Sequence, residues 1–156
     1  MKRSKPLRTI VAAWLTAGIL DITSAFVIAE IKGTGSIRML QGIASGLLGK
    51  RSFEGGLLTA GLGLSIHFFI ALTAVMLFYL ISRRFKFLIE HAIVVGLLYG
   101  IAVYLFMYWV VIPLVFPNAH PSLSRDVTAV LVHMFLIGLP ISLIVSRCSK
   151  KHATES

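Results

Sequence analysis

Four long apolar stretches constrain this chain more than any other feature of its sequence. Residues 9–31 hold 23 positions interrupted only by Asp21 and Glu30, and residues 57–81 hold 25 with no formal charge and one histidine, His67. Residues 92–116 hold 25 positions with no ionisable side chain except tyrosines, and residues 127–145 hold 19 with only His133. A hydrocarbon core about 30 Å thick takes roughly 20 apolar residues at about 1.5 Å rise per residue, so each stretch is long enough to cross it. Lipid offers backbone groups no water to bond, and the two-residue alternation of a barrel strand is absent. The expected fold class is therefore all-α: an integral membrane four-helix up-down bundle.

Composition agrees. Hydrophobic residues make up 57% of the chain and charged residues 13%, with a mean hydropathy of +0.90. Soluble domains run at about 25% charged, so disorder is excluded and a water-soluble globule nearly so. The net charge of +9 raises the question of a nucleic-acid partner, which the placement of the charges answers. Ten Lys and Arg (Lys2, Arg3, Lys5, Arg8, Arg83, Arg84, Lys86, Arg147, Lys150, Lys151) fall on one side of the spans and five (Lys32, Arg38, Lys50, Arg51, Arg125) on the other. That is a positive-inside signal, which places both termini in the cytoplasm and makes nucleic-acid binding unexpected. Cys148 is the single cysteine, so neither an intrachain disulfide nor a cysteine metal cluster can form.

The N-terminus also has the outline of a signal peptide: Lys2 to Arg8, an apolar run, then Thr23, Ser24 and Ala25. The apolar run continues through Phe26 to Ala29, and cleavage would leave three spans, so an uncleaved first helix is expected.

Between the first two spans, Ile37, Leu40, Ile43, Leu47 and Leu48 recur at helical spacing, with Lys50 and Arg51 at the end where the helix dipole favours cations. This predicts an amphipathic interfacial helix over 36–49 on the outer leaflet. Gly42, Gly46 and Gly49 leave a partly re-entrant segment as the competing picture. Residues 82–86 form a cytoplasmic turn in which Lys86 is spaced to pair with Glu90. Residues 117–126 form an outer turn in which Ser122 or Ser124 offers an N-cap and Asp126 joins the first turn of the last helix. Short links make consecutive helices antiparallel neighbours. The organisation is thus a basic tail over 1–8, one transmembrane domain over 9–147 and a polar cytoplasmic tail over 148–156.

Ionisable groups inside a membrane are costly and mark function by default, which singles out Asp21, His67 and His133. Asp21 lies nine residues before Glu30, His67 ten after Leu57 and His133 seven after Asp126, so all three sit about 10–15 Å below the outer boundary. Tyr104 and Tyr108 of the third span reach a similar depth, and Ser24 joins Asp21 on one helix face. On the second span Gly56, Ala60, Gly63, His67, Ala71 and Ala74 form a small-residue stripe that admits a close neighbour. Gly96 and Gly100 give the third span a GxxxG packing face.

Such a cluster reads first as a hydrogen-bonded network fixing helix register, or as part of a proton- or ion-linked transport or accessory role. Four helices are few for a complete transporter, so a homo-oligomer or a larger membrane partner is expected besides the lipid bilayer. No cofactor is expected, but two alternatives belong to a redox or metal class: His67 and His133 as axial ligands of haem, or both with Asp21 around a transition metal. No phosphate loop, nucleophile elbow or CxxC pattern occurs, so an enzyme is the weakest reading, with the Asp and His set as its only machinery. Trp14 reads as packing, and Trp109 as part of an aromatic belt.

The segments Asp21-Ile-Thr-Ser-Ala-Phe26, Arg38 to Gly49, Leu64-Ser-Ile-His-Phe-Phe69 and His133 to Pro140 resemble an uncharacterised group of small bacterial four-span inner-membrane proteins. The resemblance covers nearly the whole chain. It implies a bacterial cytoplasmic-membrane setting and supplies no substrate, cofactor or catalytic residue.

Overall fold

The computed structural model describes residues 6–116 and 123–153 of the chain. Among these residues there is no strand. The helices are α1 (Pro6–Ile31), α2 (Ser36–Leu48), α3 (Gly56–Ser82), α4 (Phe87–Glu90), α5 (Ala92–Phe106), α6 (Ile112–Val115), α7 (Leu123–Val132) and α8 (Leu139–Ala153). A 3₁₀ segment, Gly49–Phe53, follows α2; wide π-helical segments join α5 to α6 (Met107–Val111) and α7 to α8 (His133–Gly138). Four helical runs are long and apolar enough to cross a membrane: Pro6–Ile31, Gly56–Ser82, Ala92–Val115 and Val127–Lys150, the first to fourth spans. Their bounds follow the apolar stretches closely, although the last helix continues to Ala153 through residues expected in a polar tail. Lys2, Arg3, Lys5 and Ser122 lie outside the described residues, as does the side chain of Ser124.

Large apolar side chains point outward: Leu58 is 87% exposed and Leu114 79%. In water such a surface would aggregate; against lipid tails it is the solvated face. The buried core sets alanines of the first span against larger side chains of the other three. Ala13 and Ala17 of the first span meet Val75 and Phe78 of the second, Val95 of the third, and Ile137, Ile141 and Val145 of the fourth. Small residues let backbones approach, which is how helices gain packing when no hydrophobic force drives them together.

The third and fourth spans come closest. A Cβ on Gly138 would collide with the backbone at Gly96 and Gly100, and one on Gly100 would collide with the backbone at His133 and Met134. Two serines lace the seam from the fourth span: Ser142 Oγ donates to Ala92 O at 2.8 Å, and Ser146 Oγ donates to Ile89 O at 2.6 Å. Gly96 and Gly100 thus act as the packing face expected of them.

The second and third spans meet differently. The Tyr99 hydroxyl donates to Ala74 O at 2.6 Å, and its ring stands 4.9 Å from that of Phe78 at 61°. Long side chains, rather than apposed backbones, bridge these two consecutive helices. The short turn between them fixes their ends, while the bulk of Tyr99 and Phe78 sets their spacing. Lys86 and Glu90 share a backbone hydrogen bond at 3.1 Å, and no ion pair joins their side chains.

α2 packs onto the second span. The Leu40 carbonyl occupies the space a Cβ on Gly63 would need, and Gln41, buried, donates from Nε2 to Gly56 O at 3.0 Å. Glu30 fixes the start of α2 by accepting from Ser36 N at 2.9 Å and Ser36 Oγ at 2.7 Å. On the expected small-residue stripe, then, Gly63 and Ala60 receive α2. Gly56 serves its own backbone instead: its φ is +57°, and a Cβ there would meet nothing within 4 Å. Left-handed φ is glycine's territory, and it turns the chain from the 3₁₀ segment into α3.

The π segments have a cause in the sequence. Each ends two residues before a proline, Pro113 or Pro140. A proline ring clashes with the carbonyl four residues back and lacks an N–H, so the turn before it opens. The widening shows in the hydrogen bonds: Ile112 N donates to Met107 O and Leu139 N to Met134 O, each five residues back.

Candidate functional site

All four spans contribute to a cavity of about 710 Å³. Asp21 and Ser24 enter it from the first span, His67 from the second, Tyr108 from the third and His133 from the fourth, as their common depth predicts. Met39 and Ile43 of α2 and Lys32 and Thr34 of the connection between α1 and α2 complete one end, and the remaining walls are mostly apolar.

Asp21 Oδ2 stands 3.8 Å from His67 Nδ1. That is too long for a hydrogen bond and close enough for strong electrostatic interaction in a site of low polarity. His133 lies within electrostatic range of the same carboxylate. His67 is oriented by its other nitrogen, Nε2, which donates to Gly18 O at 3.0 Å. A carbonyl only accepts, so Nε2 carries the proton and Nδ1, facing Asp21, is the acceptor of the neutral ring. His133 is held the opposite way round: Nδ1 donates to Ala129 O, one turn back, at 2.7 Å, which leaves Nε2 as its acceptor. The Ser24 hydroxyl donates to Asp21 O at 2.8 Å, within its own helix.

The surroundings hold these groups in place. Gly18 exposes its carbonyl to His67 because it has no Cβ; one added there would lie 2.7 Å from the Phe68 ring. Trp14 closes the inner side, donating from Nε1 to Phe68 O at 2.7 Å and meeting the Phe68 ring edge-on at 5.9 Å. Tyr104 and Tyr108 stack at 4.7 Å, and each meets His133 edge-on, at 5.9 and 6.0 Å. Tyr108 reaches the cavity while Tyr104 is buried behind it. His133 begins the π segment of the fourth span, and Tyr108 lies within that of the third.

The sequence thus brings Asp21, Ser24, His67, Tyr108 and His133 to one space. It does not mark Lys32, Met39, Ile43, Met107 and Thr128, which also line it. Pro113 and Pro140 are the available signal for the widened turns beside it. Among the described residues no set of three or more His, Cys, Asp or Glu is gathered around a possible metal position. One nitrogen of each histidine is also committed to a backbone carbonyl. No family model, curated protein or solved structure matches the chain.

Proposed function

We propose that this is a non-enzymatic, multi-pass protein of a bacterial cytoplasmic membrane, with both termini cytoplasmic, that couples protonation of Asp21, His67 and His133 to a small solute in the cavity, as a transporter or its accessory subunit. One observation carries this reading: the intramembrane ionisable groups line a cavity of about 710 Å³ instead of closing on one another. A network built only for packing would bring Asp21 and His67 into direct contact, whereas they stand 3.8 Å apart. Carboxylate and imidazole groups facing a cavity in a bilayer are the parts from which proton relays are made.

In this reading α2 is an amphipathic helix at the outer interface. Met39 and Ile43 face the cavity, while Ile37, Leu47 and Leu48 are exposed and meet lipid. Four spans are few for a complete carrier, so the working unit is a homodimer or a complex with a larger membrane protein.

The test is proton flux into proteoliposomes loaded with a pH-sensitive dye, comparing wild type with Asp21→Asn, alongside the thermal stability of both. Flux lost with stability kept supports the proposal. Stability lost with flux unchanged assigns the cluster to packing. A reporter fused after residue 156 checks the orientation.

A further inference from the structure

We infer that the cavity binds a small organic cation carrying N–H donors, a primary alkylammonium being the simplest member of the class. The inference rests on the solute-binding reading above and names its ligand.

The tautomers decide the chemistry. Gly18 O fixes the proton of His67 on Nε2 and Ala129 O fixes that of His133 on Nδ1, so each neutral ring has an acceptor nitrogen left over. Ser24 has spent its hydroxyl proton on Asp21 O, leaving its lone pairs. Asp21 brings a carboxylate, which only accepts when ionised. Four polar groups from three spans therefore offer acceptors. At 3.8 Å, the carboxylate oxygen and His67 Nδ1 are two acceptors side by side, with a positively charged donor as their natural complement.

The rest of the cavity fits the same ligand. Its walls are predominantly apolar, suited to an alkyl body, and Tyr108 adds aromatic surface that attracts cations. Lys32 is the only formal positive charge among the lining residues described, and it lies eleven residues beyond Asp21, about 16 Å along the helix axis. Among the described lining residues a carboxylate or phosphate ligand would find its counter-charge only there, at the rim, with Asp21 opposing it inside.

Protonation competes with such a ligand. Among the described residues, the titratable groups facing Asp21 are His67 from the second span, Tyr108 from the third and His133 from the fourth, with Lys32 at the rim; α2 contributes none. Acid converts Asp21, His67 and His133 from acceptors to donors, so affinity falls as pH falls.

Calorimetric titration of the detergent-purified full chain tests this with three probes of one length: hexylammonium, hexanol and hexanoate. The expected result is saturable binding of hexylammonium at least about tenfold tighter than either other probe, weakened on acidification, with the preference lost in Asp21→Asn. The comparison of probes uses wild type alone, so it stands even where the variant fails to fold. Hexanoate or hexanol binding as tightly as hexylammonium, a preference unchanged in folded Asp21→Asn, or no saturable hexylammonium binding would overturn the inference. Binding with no proton flux in proteoliposomes would remove the transport reading and leave this one intact; flux without ammonium binding would do the reverse.

Discussion

The joint between the third and fourth spans gives the sharpest stability prediction. In Gly138→Ala the new Cβ would stand 2.6 Å from Gly100 Cα, with Gly96 O and Gly100 N closer still. Carbon atoms rest at about 3.5–4.0 Å, so the third span must retreat by about 1 Å. The retreat acts on the Ser142 bond to Ala92 O, now 2.8 Å, and carries it beyond the range in which a hydroxyl donates well. Overpacking costs about 1–3 kcal/mol and interhelical hydrogen bonds in membranes average about 0.6 kcal/mol each, so the total is about 2–4 kcal/mol. Equilibrium unfolding in mixed micelles, titrated with a denaturing detergent and followed by helicity, measures it. Gly61→Ala is the matched control, because a Cβ there meets nothing within 4 Å and only raises helix propensity, by at most about 1 kcal/mol. A Gly138→Ala protein within about 0.5 kcal/mol of wild type would refute the account of this seam.

Other perturbations separate packing from site geometry. Gly18→Ala pushes on the Phe68 ring rather than on backbone, so the expected cost in the same assay is smaller, about 1–2 kcal/mol, and His67 loses its alignment with Gly18 O. Pro140→Ala removes the reason for the wide turn; closing it rotates the outer part of the fourth span by about 100° and takes His133 out of the cavity. Hexylammonium affinity should drop in that variant while circular dichroism shows undiminished helix, and unchanged affinity would show that the widened turn does not position His133. Tyr99→Phe removes the hydroxyl bridge to Ala74 and should cost about 0.6–1.7 kcal/mol in detergent unfolding.

The spans were legible because lipid imposes a length and a polarity that no tertiary contact overrides. That Asp21, His67 and His133 line one cavity was legible for a related reason: counting residues along a helix measures distance along its axis. The lateral arrangement was not. Consecutive helices were expected to be antiparallel neighbours, which leaves their spacing open; Tyr99 and Phe78 set it between the second and third spans. Nothing in an apolar pattern says whether an aromatic ring points at lipid or at a neighbour. Gly56 and Gly63 look alike in a small-residue stripe, but one supplies a left-handed φ and the other makes room for the Leu40 carbonyl. Pro113 and Pro140 were visible, and local proline sterics foretell a break; that the break takes the form of two widened turns beside one cavity depends on how the spans assemble.

The core places Ala13 and Ala17 of the first span against Ile141 and Val145 of the last. During synthesis these partners leave the ribosome well over a hundred residues apart, so the first span waits in the membrane until the fourth arrives. Of the two histidines that line the cavity, only His67 precedes the last span. The third and fourth spans, joined glycine to glycine, form a hairpin whose docking completes the molecule in one late step. Faults in that last hairpin should therefore leave behind a half-built protein with its most polar intramembrane groups uncovered, the kind of species that membrane quality control recognises.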